Sequence, residues 1–135
     1  MHVGFGNVYG GLGVAGEVAV VSRVSVVAGV GFMSIKPVAS AAAAALTVFI
    51  SRPRSGTFLQ FSVSPLAYSE LCELGLACTV DRIHYGPGLV IGYRHVAASG
   101  LTLTVGGGAG WFVEEGFPLP MVQLDVGRTL RWLRQ

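Results

Sequence analysis

The sequence predicts an all-β fold, an eight-stranded antiparallel up-and-down barrel, and three observations predict it. Side chains alternate in character with a period of two along most of the chain. The alternating runs are about 9 to 13 residues long, beyond the mode of about five or six for strands of globular proteins. Short breaks rich in Gly, Pro, Ser and Arg separate them. At 135 residues the chain is too short for two ordinary domains, so one barrel domain over 1–135 is expected.

Composition narrows the class. Hydrophobic residues make up 52 % and charged ones 12 %, the latter about half the usual share. A mean hydropathy of +0.64 excludes a disordered chain and is high for a water-soluble one. The net charge of +2, from eight Arg and one Lys against seven acidic residues, is too small to call for a nucleic-acid partner. A spanning helix needs about 20 apolar residues in a row. Val38 to Ile50 stops short at Ser51-Arg52-Pro53-Arg54, and Val18 to Met33 is broken by Ser22, Arg23 and Ser25. No basic, apolar, then small-residue leader opens the chain.

The elements follow in order. His2 to Tyr9, with Gly10-Gly11 as its turn, supplies a short first strand in which Asn7 suits neither face; the other option is a chain that lacks part of its N-terminus. Seven clear strands come next. Leu12, Val14, Val18 and Val20 alternate with Gly13, Ala15, Glu17 and Ala19, and Val24, Val26, Val30 and Phe32 with Ser25, Val27, Gly29 and Gly31. Leu46, Val48 and Ile50 face away from Thr47 and Phe49, and Leu59, Phe61 and Val63 from Gln60, Ser62 and Ser64. Leu89, Ile91 and Tyr93 oppose Val90, Gly92 and Arg94. Leu101, Leu103, Val105 and Trp111 oppose Thr102, Thr104, Gly106 and Gly110. Val122, Leu124, Val126 and Trp132 oppose Gln123, Asp125, Gly127 and Arg131.

In each run one face is bulky and apolar, the other small or polar. A soluble barrel or sandwich places its bulk inside. This pattern therefore expects lipid outside and a narrow interior within, and the run length suits a tilted strand crossing a bilayer. Ser22-Arg23, Arg52 to Gly56 and His95 to Gly100 are expected as tight periplasmic turns. The segments 34–41, 69–82 and 114–118 are expected as the longer external loops.

The stretches GPGLVIGYRH (Gly86 to His95), SGLTLTVGGGAGW (Ser99 to Trp111) and PLPMVQLDVGRTLRW (Pro118 to Trp132) resemble the C-terminal half of small bacterial outer-membrane β-barrel proteins. Gly10 to Phe32 resembles their N-terminal hairpin. The resemblance implies an eight-stranded barrel of the porin-like group in the bacterial outer membrane, often without an assigned activity, with membrane lipids and the outer-membrane assembly machinery as partners. Such barrels usually end on an aromatic residue, whereas Leu133, Arg134 and Gln135 follow Trp132 here.

Candidate site residues follow from the faces. Glu17, Arg94, Asp125 and Arg131 fall on the interior face, where charge must be paired, so they are expected to form an internal network with Glu17–Arg94 at its centre. Arg128 falls on the outer face near the chain end, where it can snorkel. Cys72 and Cys78 share one external loop and are expected to form a disulfide in an exported protein. Tyr93, Trp111 and Trp132, with Tyr9, Tyr68 and Tyr85, lie near strand ends, as interface aromatics do. Arg23, Arg52, Arg54 and Arg134 are expected at the periplasmic rim, and Glu70, Glu73, Asp81, Glu114 and Glu115 at the outer one.

No cofactor or metal set is expected. Gly11 to Gly16 matches a dinucleotide fingerprint, but β-prone residues follow it in place of the required helix. Ser69, Asp81 and His84 offer the trio a lipid-modifying barrel enzyme would need at its outer rim, yet no catalytic motif is present and a non-enzymatic role is expected. The expected function is structural, or an interaction with an extracellular partner through 34–41 and 69–82. A soluble lipocalin-like carrier of an apolar ligand is the main alternative.

Overall fold

The computed structural model describes residues 1–6, 11–35, 38–71, 78–112 and 116–128. Eight antiparallel strands close into one barrel, each paired with its sequence neighbours. They are β1 (His2–Gly6), β2 (Gly11–Val21), β3 (Val24–Ile35), β4 (Val38–Phe49), β5 (Gly56–Leu71), β6 (Thr79–Val96), β7 (Leu101–Phe112) and β8 (Phe117–Arg128). The short β1 closes the barrel by pairing β2 on one side and β8 on the other. It ends at Gly6, and Gly11, expected in the turn, instead opens β2.

The registers set the barrel's width. Paired neighbours lead once round from Gly127 through His2, Ala15, Gly29, Ala43, Ser64, Gly86 and Phe112, with two registers continued past their last recorded pair. The path returns to β8 at Phe117, ten residues from its start. With a strand spacing of about 4.8 Å and a rise of about 3.3 Å, this shift tilts the strands by about 40° and puts the backbone about 8 Å from the axis.

An interior that narrow selects small inward side chains, and β2 to β4 present Gly13, Ala15, Gly29, Gly31, Ala39, Ala41, Ala43 and Ala45 there. The larger inward groups come from β4 to β8: Phe49, Phe58, Val90 and Met121 form one cluster, with Leu66 packed against it. Thr47, Gln60, Ser64, Thr102, Thr104, Gln123 and Asp125 are buried beside them. Outward positions carry exposed apolar residues on every strand, for example Phe5, Val18, Val30, Leu46, Phe61, Ile91, Val105 and Leu124.

Two expected loops are corrected. Ser34 and Ile35 belong to β3 and pair with Ala39 and Val38 of β4, so 34–41 is almost entirely strand. The run Ala41 to Ala45 hides this because alanine occupies both faces and no alternation of size is visible. Likewise Ser69–Leu71 and Thr79–Arg82 are the paired ends of β5 and β6, so much of 69–82 is a hairpin extending past the last β6–β7 pair, Gly88–Gly110. Extra residues at Val20, Met33, Leu66 and Asp81 shift the strand registers. The dinucleotide-like Gly11 to Gly16 lies inside β2.

Inward glycines are sites of close packing. A Cβ on Gly92 would stand 2.5 Å from the Val105 carbonyl oxygen and 2.6 Å from the Phe58 ring, whereas one on the outward Gly16 would meet nothing within 4 Å. Gly92→Val should therefore lower the stability of the folded barrel in detergent by about 1–3 kcal/mol. Gly16→Ala should leave it unchanged or raise it by about 0.4–1 kcal/mol. Urea unfolding midpoints check both; equal midpoints for the two variants would contradict the inward placement of Gly92.

Candidate functional site

Two polar clusters occupy the inward face. The first lies toward the end where the short turns 22–23, 50–55 and 97–100 connect strands. Alternation carries Glu17 of β2, Arg94 of β6 and Asp125 of β8 inward, and closure adds His2 of β1. Arg94 Nη1 donates to both Glu17 carboxylate oxygens, at 2.8 and 2.7 Å. Arg94 Nε donates to Thr104 Oγ1 at 3.1 Å, and the Ser25 hydroxyl donates to Glu17. The Arg94 guanidinium also lies 5.0 Å from the centre of the Phe49 ring and 5.8 Å from that of Phe58.

His2 links the two carboxylates. Its Nε2 is 3.2 Å from Glu17 Oε2 and its Nδ1 is 3.3 Å from Asp125 Oδ1. Gly127, opposite His2, leaves room for the ring, since a Cβ there would collide with it. Gln123 Nε2 donates to Asp125 Oδ2 at 3.0 Å, and Gln60 Nε2 to Thr47 Oγ1 at 2.8 Å.

Alternation alone places Glu17, Arg94 and Asp125 on one interior face, whereas His2 carries no such signal. Its partners depend on β1 closing against β8, which no local pattern announces. Arg131 lies outside the described residues, as do Trp132, Cys72, Tyr9, Glu73, Glu114, Glu115 and Arg134.

The second cluster sits at the opposite mouth. Ser69 and His84 are hydrogen-bonded, Oγ to Nε2, at 2.8 Å. They share a pocket of about 390 Å³ with Ala67, Tyr68, Phe112, Phe117 and Leu119. The His84 ring meets Phe112 edge-on at 5.1 Å. Asp81, the third member of the expected trio, is exposed and does not line this pocket.

Aromatic residues mark both ends of the outward face. Tyr93 is exposed near the short turns, and Trp111 and Tyr85 near the mouth. The Tyr85 hydroxyl accepts from the Ala42 backbone N–H at 3.2 Å. The β4–β5 ladder has ended there, and its register, continued, would set Ala42 opposite Pro65, which has no N–H. Between Phe61 and Trp111 an outward apolar groove of about 650 Å³ runs over Pro87, Leu89, Gly107 and Ala109. Among the described residues no group of three or more His, Cys, Asp or Glu is placed to hold a metal ion.

No protein-family model, curated protein or solved structure matches this chain. Its function is therefore read from its own geometry.

Arg94→Met should strip Glu17 of its closest cation and destabilise the barrel by about 3–5 kcal/mol. The double variant Glu17→Leu/Arg94→Met should lose less than the two single changes summed, because neither partner is left buried alone. A double-mutant cycle on urea unfolding in detergent measures this; strict additivity would contradict the pairing.

Proposed function

We propose that this protein is an integral β-barrel of the bacterial outer membrane, with a structural or surface-interaction role and a lumen filled by side chains without a wide pore. The observation that carries the reading is the reversal of polarity across the wall. Outward side chains form an apolar band on all eight strands, while Thr47, Gln60, Thr102, Thr104 and Asp125 are buried inside. Apart from Glu17, Arg94 and Asp125, the described Arg, Asp and Glu residues lie at the two ends. Arg23, Arg52, Arg54 and Arg128 are at the short-turn end, and Glu70, Asp81 and Arg82 at the mouth end.

Water does not tolerate an apolar surface of that extent on a monomer. Lipid does, because every backbone group of a closed barrel is paired within the wall. The band has the right height: Leu101 to Trp111 spans about 34 Å of strand, or about 26 Å along the axis at a tilt of about 40°, against about 25 Å for outer-membrane barrels. Tyr93 at one edge and Trp111 at the other suit the two interfaces. Arg128, exposed at the short-turn edge, suits snorkelling. A soluble carrier needs an apolar cavity inside, and the polar groups buried there suit one poorly.

In this reading the short turns face the periplasm and the β5–β6 hairpin faces outward, available to an extracellular partner. The oxidising compartment this reading implies would pair Cys72 with Cys78 as a disulfide. Membrane lipids and the barrel-assembly machinery are the partners the reading requires.

Expressed behind a signal peptide, the protein should fractionate with the outer membrane and migrate differently on gels before and after boiling. A soluble protein without a mobility shift would overturn the reading. Alkylation of the denatured, unreduced protein should label neither cysteine and, after reduction, both; labelling before reduction would exclude the disulfide.

A further inference from the structure

The Ser69–His84 contact is built by an irregularity of the sheet. On β5 the inward positions are Phe58, Gln60, Ser62 and Ser64, so unbroken alternation would turn Ser69 outward. Leu66 is an extra residue: Pro65 pairs with Tyr85, and Ala67 already pairs with His84. The bulge resets the alternation and moves Ser69 to the face that His84 shares with Val90 and Arg94. Leu66 itself packs against the cluster of Phe49, Phe58, Val90 and Met121. A second extra residue, Asp81, interrupts the ladder just beyond the Ser69–Arg82 pair.

We infer that Ser69 and His84 are a nucleophile and its general base, acting on esters of short apolar carboxylic acids at the mouth of the barrel. With the ring proton on Nδ1, His84 Nε2 accepts the Ser69 hydroxyl proton, the arrangement that activates a serine. The pocket is at the small end of the range for ligand sites, about 300–1,000 Å³. Phe112, Phe117, Leu119 and Ala67 offer the acyl chain an apolar wall, and Tyr68, Ser69 and His84 also line the pocket.

The chemistry closes without a cofactor. Ser69 Oγ bonds to the ester carbonyl carbon as its proton passes to His84 Nε2. The carbon–oxygen bond to the alcohol then breaks, and the alcohol leaves with that proton. Water attacks the resulting acyl-serine, giving one proton to His84, which returns it to Ser69 Oγ as the acid departs. The net reaction is ester plus water to acid plus alcohol. Of the trio the sequence offered at the outer rim, Ser69 and His84 carry this role without Asp81, and the role does not depend on the barrel lying in a membrane.

The test uses the full chain folded in detergent micelles, with folding verified by heat-dependent gel mobility. A fluorophosphonate probe should label the wild-type protein at Ser69, located by peptide mass, and p-nitrophenyl butyrate should be hydrolysed. Ser69→Ala should abolish labelling and bring hydrolysis to the uncatalysed rate. His84→Gln should reduce both by about 10²-fold or more. Absence of labelling on the folded wild-type barrel would overturn the inference, as would labelling at another residue or hydrolysis unchanged in Ser69→Ala. Because folding is read separately, failure of this inference is distinct from failure of the membrane reading.

Discussion

The width of the barrel is the constraint on which the rest depends. Eight strands sheared by ten residues hold the backbone about 8 Å from the axis, and what fits inside is decided before any side chain is chosen. The glycines and alanines of β2 to β4 answer that constraint on one wall. Gly88, Gly92 and Gly110 answer it on the other, each lying where an added Cβ would strike Met121, Phe58 or Leu66. Bulk excluded from the interior moves to the outward face, so the polarity reversal and the narrow lumen are two consequences of one geometry.

Within that width a charge is expensive unless its partner is held in place. Arg94 is held by Glu17, Thr104 and the two phenylalanine rings, and Glu17 by Arg94, Ser25 and His2. These residues come from β1, β2, β3, β4, β5, β6 and β7, so the network ties together strands distant in sequence. Its geometry exists only once β1 has joined β8, because that step brings His2 to Asp125. Closure of the wall and completion of the interior ion pairs are thus coupled, which favours an all-or-none barrel over an open sheet.

Alternation was legible wherever the two faces differ in size. That covers β2, β3, the second half of β4, and β5 through β8 over the closed part of the wall, and it placed Glu17, Arg94 and Asp125 inside. It failed where the signal has no contrast. Ala41 to Ala45 repeats one residue on both faces, so no strand was read before Leu46, and 38–41 read as loop. Glu70, Asp81 and Arg82 are polar enough to resemble a loop, though they extend a hairpin. Bulges hide the pattern in a different way: a single extra residue turns every later side chain to the other face. Counting from Ser64 turns Ser69 outward, while the ladder turns it inward, and the local sign of the irregularity is Pro65, a residue that strands tolerate at edges and bulges. His2 escaped because its partners are set by ring closure, a property of the whole chain.

The same irregularities explain why the two polar clusters differ. At the short-turn end the β2–β3 register shift between Ala19 and Val21 sits beside the 22–23 turn, past Glu17, the glycines are tightly met and the charges are enclosed, so the arrangement suits stability. At the mouth the β4–β5 ladder has ended, Tyr85 takes over the Ala42 N–H, and β5 and β6 continue past the last β6–β7 pair. A strand released from one neighbour can take a bulge with less loss of pairing than a strand held on both sides. The bulges at Leu66 and Asp81 therefore lie where the wall tolerates them, and the Leu66 bulge aims Ser69 at His84. A closed eight-stranded barrel has little room for chemistry along its axis, and the place where it can hold a pocket is where its strands outrun their partners.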